Sequence, residues 1–412
     1  MLMKKKPTKE HHASSYYVGI GLLFLCWPLH ASFIEQTLGA AVVMDATAVY
    51  FNPGALTAIS KTQLITQGTL ARSQSQFTGS AQQLSLGITE SGSATTTTDF
   101  ILPSLYISIP INDKFAGGFA VVANDFNSDL EGHSVLRYAQ ARNHIDDIDL
   151  VPAVGMKINE FLSIGGNLNF SHAHFIQEPI LGVTRLNVPE GRSLNNSKGS
   201  SLGGDFGILI KLAKKTAMGF NYRSAITYHL NGTSSIKGPQ IVYSDNYHFK
   251  YWTPARSVLS LSHFLNEKVG FIGTIQYLQW SIFKEADIYN FATQSGSTAF
   301  INPQAHIKYN FHNSWLLTLG TIYNISSKWV VRVAGTYNQS PSNGRFQIST
   351  GDGLVVGSSM GYQLMKNFTV NCSYGHAFFK KQNINIETAQ NIITGFNQGV
   401  NDAVSLRLTF TA

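Results

Sequence analysis

Charge and cysteine are both scarce in this sequence. Charged side chains make up 13 % of 412 residues, and the only cysteines are Cys26 and Cys372. Cys26 falls in a leader read below as removed, so a single thiol remains and an intramolecular disulfide is excluded. After residue 31 no run of about 18 uninterrupted apolar residues occurs, which excludes a membrane-spanning helix there. The nearest approach, "LGAAVVMDATAVYFNPGALTAIS" at 38–60, is broken by Asp45 and stops at an Asn-Pro-Gly corner. Losing four Lys and one Glu with the leader reduces the net charge from +7 to about +4, too mild and dispersed for a nucleic-acid partner. Phosphate loops, zinc motifs and coiled-coil repeats are missing too, and no cofactor is expected.

What is abundant points to strands. Gly numbers 36 and aromatics reach 12 %, with heavy use of Tyr, Phe and Asn, a composition of pleated segments and turns. Residues 1–31 read differently: Lys4, Lys5, Lys6 and Lys9, then "YYVGIGLLFLCWPLHA". A basic head, an apolar middle and a small-residue exit describe a secretory signal peptide, the alternative being an inner-membrane anchor. Cys26 lies between Leu25 and Trp27 and lacks the small neighbours of a lipoprotein cleavage site.

From about residue 61 onward, period-2 segments alternate with turns. "KWVVRVAGTYNQ" sets Trp329, Val331, Val333 and Tyr337 against Arg332, Thr336 and Asn338. "NFTVNCSYG" sets Phe368, Val370, Cys372 and Tyr374 against Asn367, Thr369, Asn371 and Ser373. "WLLTLGTIY" and "AVSLRLTFTA" repeat the pattern. A soluble β-sandwich also has one apolar face per strand. Aromatic residues near the ends of the apolar rows, as at Trp329 and Tyr337, favour the girdles of a membrane barrel instead. So does the contrast between terse connections such as "SPSN" and long polar ones such as "EPILGVTRLNVPEGRSLNNSKGSS". "SGSATTTTDF" reads as the tip of an extracellular loop. In lipid an open sheet edge leaves N–H and C=O groups unpaired at several kcal/mol each, so the sheet must close. At the C-terminus, Phe410 is followed by Thr411 and Ala412, which displaces the usual terminal aromatic without breaking the alternation.

These residues resemble the FadL-type outer-membrane transporters of long-chain fatty acids and other hydrophobic compounds. "GAAVVMDATAVYFNPGAL" looks like the family's hatch; Asn52 and Pro53 match, while Gly54 stands where the family has Ala. "PINDKF", "VLRYAQ" with Arg137 and Tyr138, and "FNYRSAITYHLNG" with Tyr222, Arg223 and Ser224 follow in the family's order. "WSIF" comes after "TPA" at the expected distance, and the paired late strands run to Ser-Pro. The resemblance implies an all-β fold, a transmembrane antiparallel β-barrel of about 14 strands plugged by a small N-terminal hatch. Its parts are a signal peptide (1–31), the hatch (32–60) and the barrel (61–412). The alternative for Asn52 and Pro53 is a plain surface turn before the first strand.

The implied activity is passive transport across the Gram-negative outer membrane, without enzymatic chemistry, by a monomer amid outer-membrane lipid and lipopolysaccharide. The cargo is a hydrophobic small molecule, long-chain fatty acids first and aromatic hydrocarbons as the alternative. Capture on extracellular loops, transfer to a lumenal pocket and lateral release after hatch movement complete the route. In "FAGGFAVVANDF", Gly117 and Gly118 are candidates for a kinked strand at the lateral gate, the alternative being close packing against the plug. Arg137 and Arg223 are candidate contacts for a ligand carboxylate, the alternative being lumenal bracing. "GSSMG" at Gly357–Gly361 fits the G-x-S-x-G pattern of serine hydrolases, with Ser359 as nucleophile. It lies in strand sequence rather than at a strand–turn–helix elbow, so an outer-membrane lipid hydrolase is the weaker rival. His172 and His174 share a strand face, but no Cys or acidic pair at ligand spacing accompanies them, and solvated histidines are expected.

Overall fold

The computed structural model describes residues 39–84, 87–130, 134–136, 142–183, 188–237, 240–295, 298–388 and 391–412. The expected signal peptide (1–31) and the first part of the expected hatch lie outside these residues. Five long strands come first: β1 (Gln63–Gln83), β2 (Ile88–Pro110), β3 (Phe115–Leu130), β4 (Arg142–Lys157) and β5 (Leu162–Glu178). A short β6 (Ile180–Val183) pairs with the far end of β7 (Val188–Ala213). Then come four strands in two pieces each. These are β8 (Thr216–Arg223) with β9 (Ile226–Ile236), and β10 (Val242–Thr253) with β11 (Arg256–Phe264). The others are β12 (Val269–Leu278) with β13 (Glu285–Ser295), and β14 (Thr298–Lys308) with β15 (Ser314–Asn324). β16 (Trp329–Asn338), β17 (Gly353–Met365), β18 (Phe368–Phe379) with β19 (Gln382–Glu387), and β20 (Asn391–Thr411) complete the wall.

Every neighbouring pair is antiparallel, and β20 returns to β1 along its whole length, from Gln63↔Thr411 to Gln83↔Asn391. The pieces make a closed 14-stranded barrel. Closure is what the composition demands, because it leaves no sheet edge to face hydrocarbon. The alternation read from sequence appears with its greasy side outward. Trp329, Val333 and Tyr337 are 36 to 48 % exposed, whereas Thr336 and Asn338 are buried. Inside, Thr318 and Thr336 share a hydrogen bond of 2.8 Å. Trp329 stacks near Tyr362 at one end of the outer belt, and Trp315 near Tyr277 towards the other. Trp329 and Tyr337 are eight positions apart on one strand, roughly 26 Å of extended chain. Tilted by about 40° in a barrel, that length rises roughly 20 Å and spans most of an apolar band of about 25 Å.

One end of the barrel is closed by tight turns with a shared chemistry. Asn112, Asn159 and Asn266 each accept two backbone N–H groups through Oδ1, and Ser326 does the same through Oγ. Such side-chain turns fix the hairpin locally. At the opposite end the strands run on beyond the lipid belt. "SGSATTTTDF" is not a loop but part of β2, paired with β1 throughout. Much of "EPILGVTRLNVPEGRSLNNSKGSS" is likewise strand, in β6 and β7. "SPSN" is not a tight turn: it opens an inward-folded segment, 339–352, in which Ser340, Ser342, Gln347 and Ser349 are buried. Gln347 Nε2 donates to Tyr309 O at 2.6 Å, and Asn385 N donates to Gly344 O at 2.9 Å.

Candidate functional site: the hatch and the lumen above it

Residues 39–60 lie inside the barrel. They form a 3-10 turn (Ala40–Val42), one helical turn (Ala48–Phe51) and a second 3-10 segment (Pro53–Ala58). Val49, Tyr50, Phe51 and Leu56 are fully buried against strand residues such as Tyr106, Ala120 and Leu209. The surface-turn alternative for the Asn-Pro corner is thereby set aside. Asn52 is wholly buried; its Nδ2 donates to Ala41 O at 2.6 Å and to Ile208 O at 2.9 Å, while Oδ1 accepts from Gly54 N at 3.1 Å. One amide thus ties the two halves of the hatch to each other and to β7. Pro53, with φ preset and no donor to lose, starts the second 3-10 segment.

The hatch is seated on glycines of the wall. A Cβ on Gly207 would collide with Asn52 Oδ1, one on Gly219 with Ala41 O, and one on Gly165 with the Pro53 carbonyl. Gly54 is itself in contact with the Gly207 backbone. Gly118 belongs to this set, since a Cβ there would strike the Val49 side chain. The bulge expected at Gly117 and Gly118 is not formed. Both keep ladder partners on either side, Ile109 and Val154 for Gly117, Ser108 and Ala153 for Gly118. Close approach to the plug accounts for Gly118 without a bulge.

Polar side chains lock the same level. Arg223 Nε and Nη2 each donate at 2.8 Å to Asp205, one to either carboxylate oxygen, and Nη2 also donates to Tyr50 O at 2.8 Å. The guanidinium lies 3.8 Å over the Tyr50 ring. Asn167 Nδ2 donates to Asp205 and to Val49 O, and the Tyr50 hydroxyl donates to Asp149 at 3.2 Å. Most of the Arg223 fork is thus committed to Asp205 and the hatch, the arrangement of a lumenal brace. Arg137 lies outside the described residues. On the other flank, Arg407 Nη2 donates to Asp45 at 2.5 Å, and Asp45 also accepts from the Thr47 amide and hydroxyl. Burial works to raise the Asp45 pKa, but Arg407 and the Thr47 hydrogen bonds outweigh it and hold the carboxyl below its usual range.

A residue that the sequence reading missed stands beside this lock. Arg256 opens β11, opposite Arg223 on one side and Leu278 on the other. It is 3 % exposed, and among the described residues neither Nε nor Nη2 has a hydrogen-bond partner. A single sequence carries no signal for this, because "TPARS" does not reveal what the arginine lacks.

Above the hatch the lumen changes character. The lower strand pieces end on one row, Arg223↔Arg256↔Leu278↔Ser314, and the chain breaks there in four adjacent strands. At these breaks Trp280, Phe283, Tyr309 and Phe311 turn into the barrel. Phe283 meets Trp280, Tyr309 and Phe311 with ring centroids 5.8 to 6.0 Å apart. Asn310 takes a left-handed φ of 47° at the corner, a conformation that asparagine tolerates. Phe175, Phe249 and Tyr251 continue the aromatic level on the facing strands. Ser359 sits in the middle of β17, paired with Arg332 and Ser373, so the elbow that a hydrolase nucleophile needs is not formed at this serine.

Comparisons with known proteins agree with this architecture. The family described as "Outer membrane protein transport protein (OMPP1/FadL/TodX)" matches residues 37–411. Outer membrane protein P1 of Haemophilus influenzae is 21 % identical over 385 residues, covering 83 % of this chain and 82 % of that protein. Among solved structures, a Pseudomonas aeruginosa FadL homologue superposes with a TM-score of 0.79 at 18 % identity, over 90 % of this chain and 95 % of its own. The Pseudomonas putida toluene transporter TodX gives 0.63 at 13 % identity, over 92 % and 96 %. The chain thus belongs to the OMPP1/FadL/TodX family of outer-membrane proteins that transport hydrophobic compounds.

Proposed function

We propose that the protein passes long-chain fatty acids through the outer membrane by the stepwise route set out above. It captures them at its extracellular end, holds them in the aromatic level, and releases them sideways once the hatch shifts. Partition supplies the drive, since each buried CH₂ is worth about 0.8 kcal/mol. The observation that carries the choice of cargo is Arg256. A buried guanidinium whose Nε and Nη2 lack hydrogen-bond partners among the described residues, at the seam between hatch and aromatic level, is poised for an anionic head group. A neutral hydrocarbon would leave it unsatisfied.

The second reading is uptake of aromatic hydrocarbons. It is favoured by the ring-rich lining around Phe283 and by the relatives named toluene transporters. Binding of oleate, methyl oleate and toluene to the purified protein separates the two. Oleate is expected to bind best, and Arg256→Gln to weaken it roughly 10- to 100-fold, the worth of a charge-assisted hydrogen bond, while sparing the ester. Toluene binding that matches oleate, with Arg256→Gln silent, would transfer the assignment to the hydrocarbons.

A further inference from the structure

The histidine pair of β5 acquires partners that are remote in sequence. Asp125 on β3 faces Asp146 on β4, and Asp146 faces His174 on β5, one row across three adjacent strands. His144 lies two residues from Asp146 on the same face. That face is outward. Ile148 and Leu150 follow on β4, and Phe119 and Phe170 lie on the same faces of the adjoining strands, all 40 to 49 % exposed in the lipid belt.

We propose that Asp125, His144 and Asp146, with His174 closing in as a fourth ligand, form a divalent metal site of the zinc class on the outside of the barrel, at the extracellular rim of the lipid belt. His144 Nε2 lies 2.9 Å from both Asp125 Oδ1 and Asp146 Oδ1, and His174 Nδ1 lies 3.4 Å from Asp146 Oδ2. One ligand atom each from Asp125, His144 and Asp146 lie within 4.8 Å of one another, and His174 stands just outside that group, beside Asp146; around a tetrahedral ion with bonds of about 2.1 Å the ligand atoms stand about 3.4 Å apart. Carboxylate and imidazole together suit zinc and its first-row neighbours.

Three further observations argue that a cation, rather than hydrogen bonding, completes the cluster. Two aspartates directly opposite in a ladder repel each other, and among the described residues their ion-pair contacts are to histidine alone. The one Nε2 proton of His144 cannot serve both carboxylates, and Asp125 Oδ1 is buried without a hydrogen-bond donor. Finally, His174 Nε2 lies 2.9 Å from Asn196 Oδ1, an acceptor, so the proton belongs on Nε2. The Nδ1 lone pair then faces a carboxylate oxygen, two acceptors that a metal ion would join. A hydrogen-bond acceptor that orients the far nitrogen of a ligand histidine is a regular companion of metal sites. Bound metal would pin β3, β4 and β5, the strands that carry Gly118 and Gly165 beneath the hatch.

The test uses the full-length mature protein in detergent, treated with EDTA, desalted and titrated with zinc chloride. One equivalent is expected to bind and to raise the unfolding midpoint in proportion to its occupancy. Zinc-edge absorption should show a nitrogen and oxygen shell with imidazole scattering. Asp125→Asn with Asp146→Asn should abolish both effects while keeping the folded, heat-modifiable gel mobility of the barrel. Asn196→Ala keeps all four ligands and should weaken binding about tenfold. Zinc uptake by the wild type no greater than by the double variant, or a bound ion without imidazole in its shell, would overturn the proposal.

Discussion

Two levels of the same lumen are filled by opposite means. At the hatch level, backbone meets backbone: Ala41, Gly54 and Pro53 press on Gly219, Gly207 and Gly165, and ion pairs close the remaining gaps. At the aromatic level, the space is taken by side chains, with Phe283, Trp280 and Phe311 hung from strand breaks. Main chain pressed against glycine can only fit or not fit, because it has no rotamers to change. Rings on breaks can re-pack around a guest at modest cost. The contrast assigns sealing to the lower level and accommodation to the upper.

Variants can break that contrast in order of effect. Arg223→Leu leaves Asp205 buried without its counter-charge, and about 3–5 kcal/mol of barrel stability should vanish, read from the urea midpoint in detergent. Gly207→Val should cost about 1–3 kcal/mol through overpacking and unseat the Asn52 corner. Planar-bilayer recordings would then show a conductance that the parent lacks; a silent variant would mean that the hatch yields more than its seat suggests. In the upper level, Phe283→Leu should cost about 1 kcal/mol and leave the seal intact, while shifting ligand affinity.

The smallest effect is acid-dependent. Asp45 has a folded pKa below its unfolded value, so its bond to Arg407 stabilises the hatch above that value and is lost as acid protonates the carboxyl. Amide protection factors of the hatch, with rates corrected for the intrinsic pH dependence of exchange, should therefore be flat from about pH 8 to about pH 5 and fall below about pH 4. Asp45→Asn should remove that step.

How much of this was legible depends on where the side chains end up. The outward rows through Trp329 and Tyr337 were readable because lipid on one side and a polar lumen on the other impose a strict alternation. The Asn52-Pro53 corner was readable because that dipeptide restricts the chain by itself. "SGSATTTTDF" was misread because β2 continues past the membrane there, where water on the outside removes the apolar face while the ladder persists. Gly118 could not be resolved, since the same glycine serves a bulge or a close approach, and only the Val49 contact decides. Arg223 was found but its bracing partner, Asp205, was not, and Arg256 stands out only by what its surroundings withhold. The aspartates beside His174 come from two other strands, a meeting that no local spacing announces.

The join between β1 and β20 sets the order of biogenesis. The first strand to be translated must wait, with a bare edge, for the last, and until they zip together two rows of peptide groups stay unpaired. The hatch precedes β1 in the chain, so it has to be gathered in before that seam shuts. A polypeptide cut short of residue 391 would lack the closing strand altogether and would present its raw edges to degradation rather than enter the bilayer.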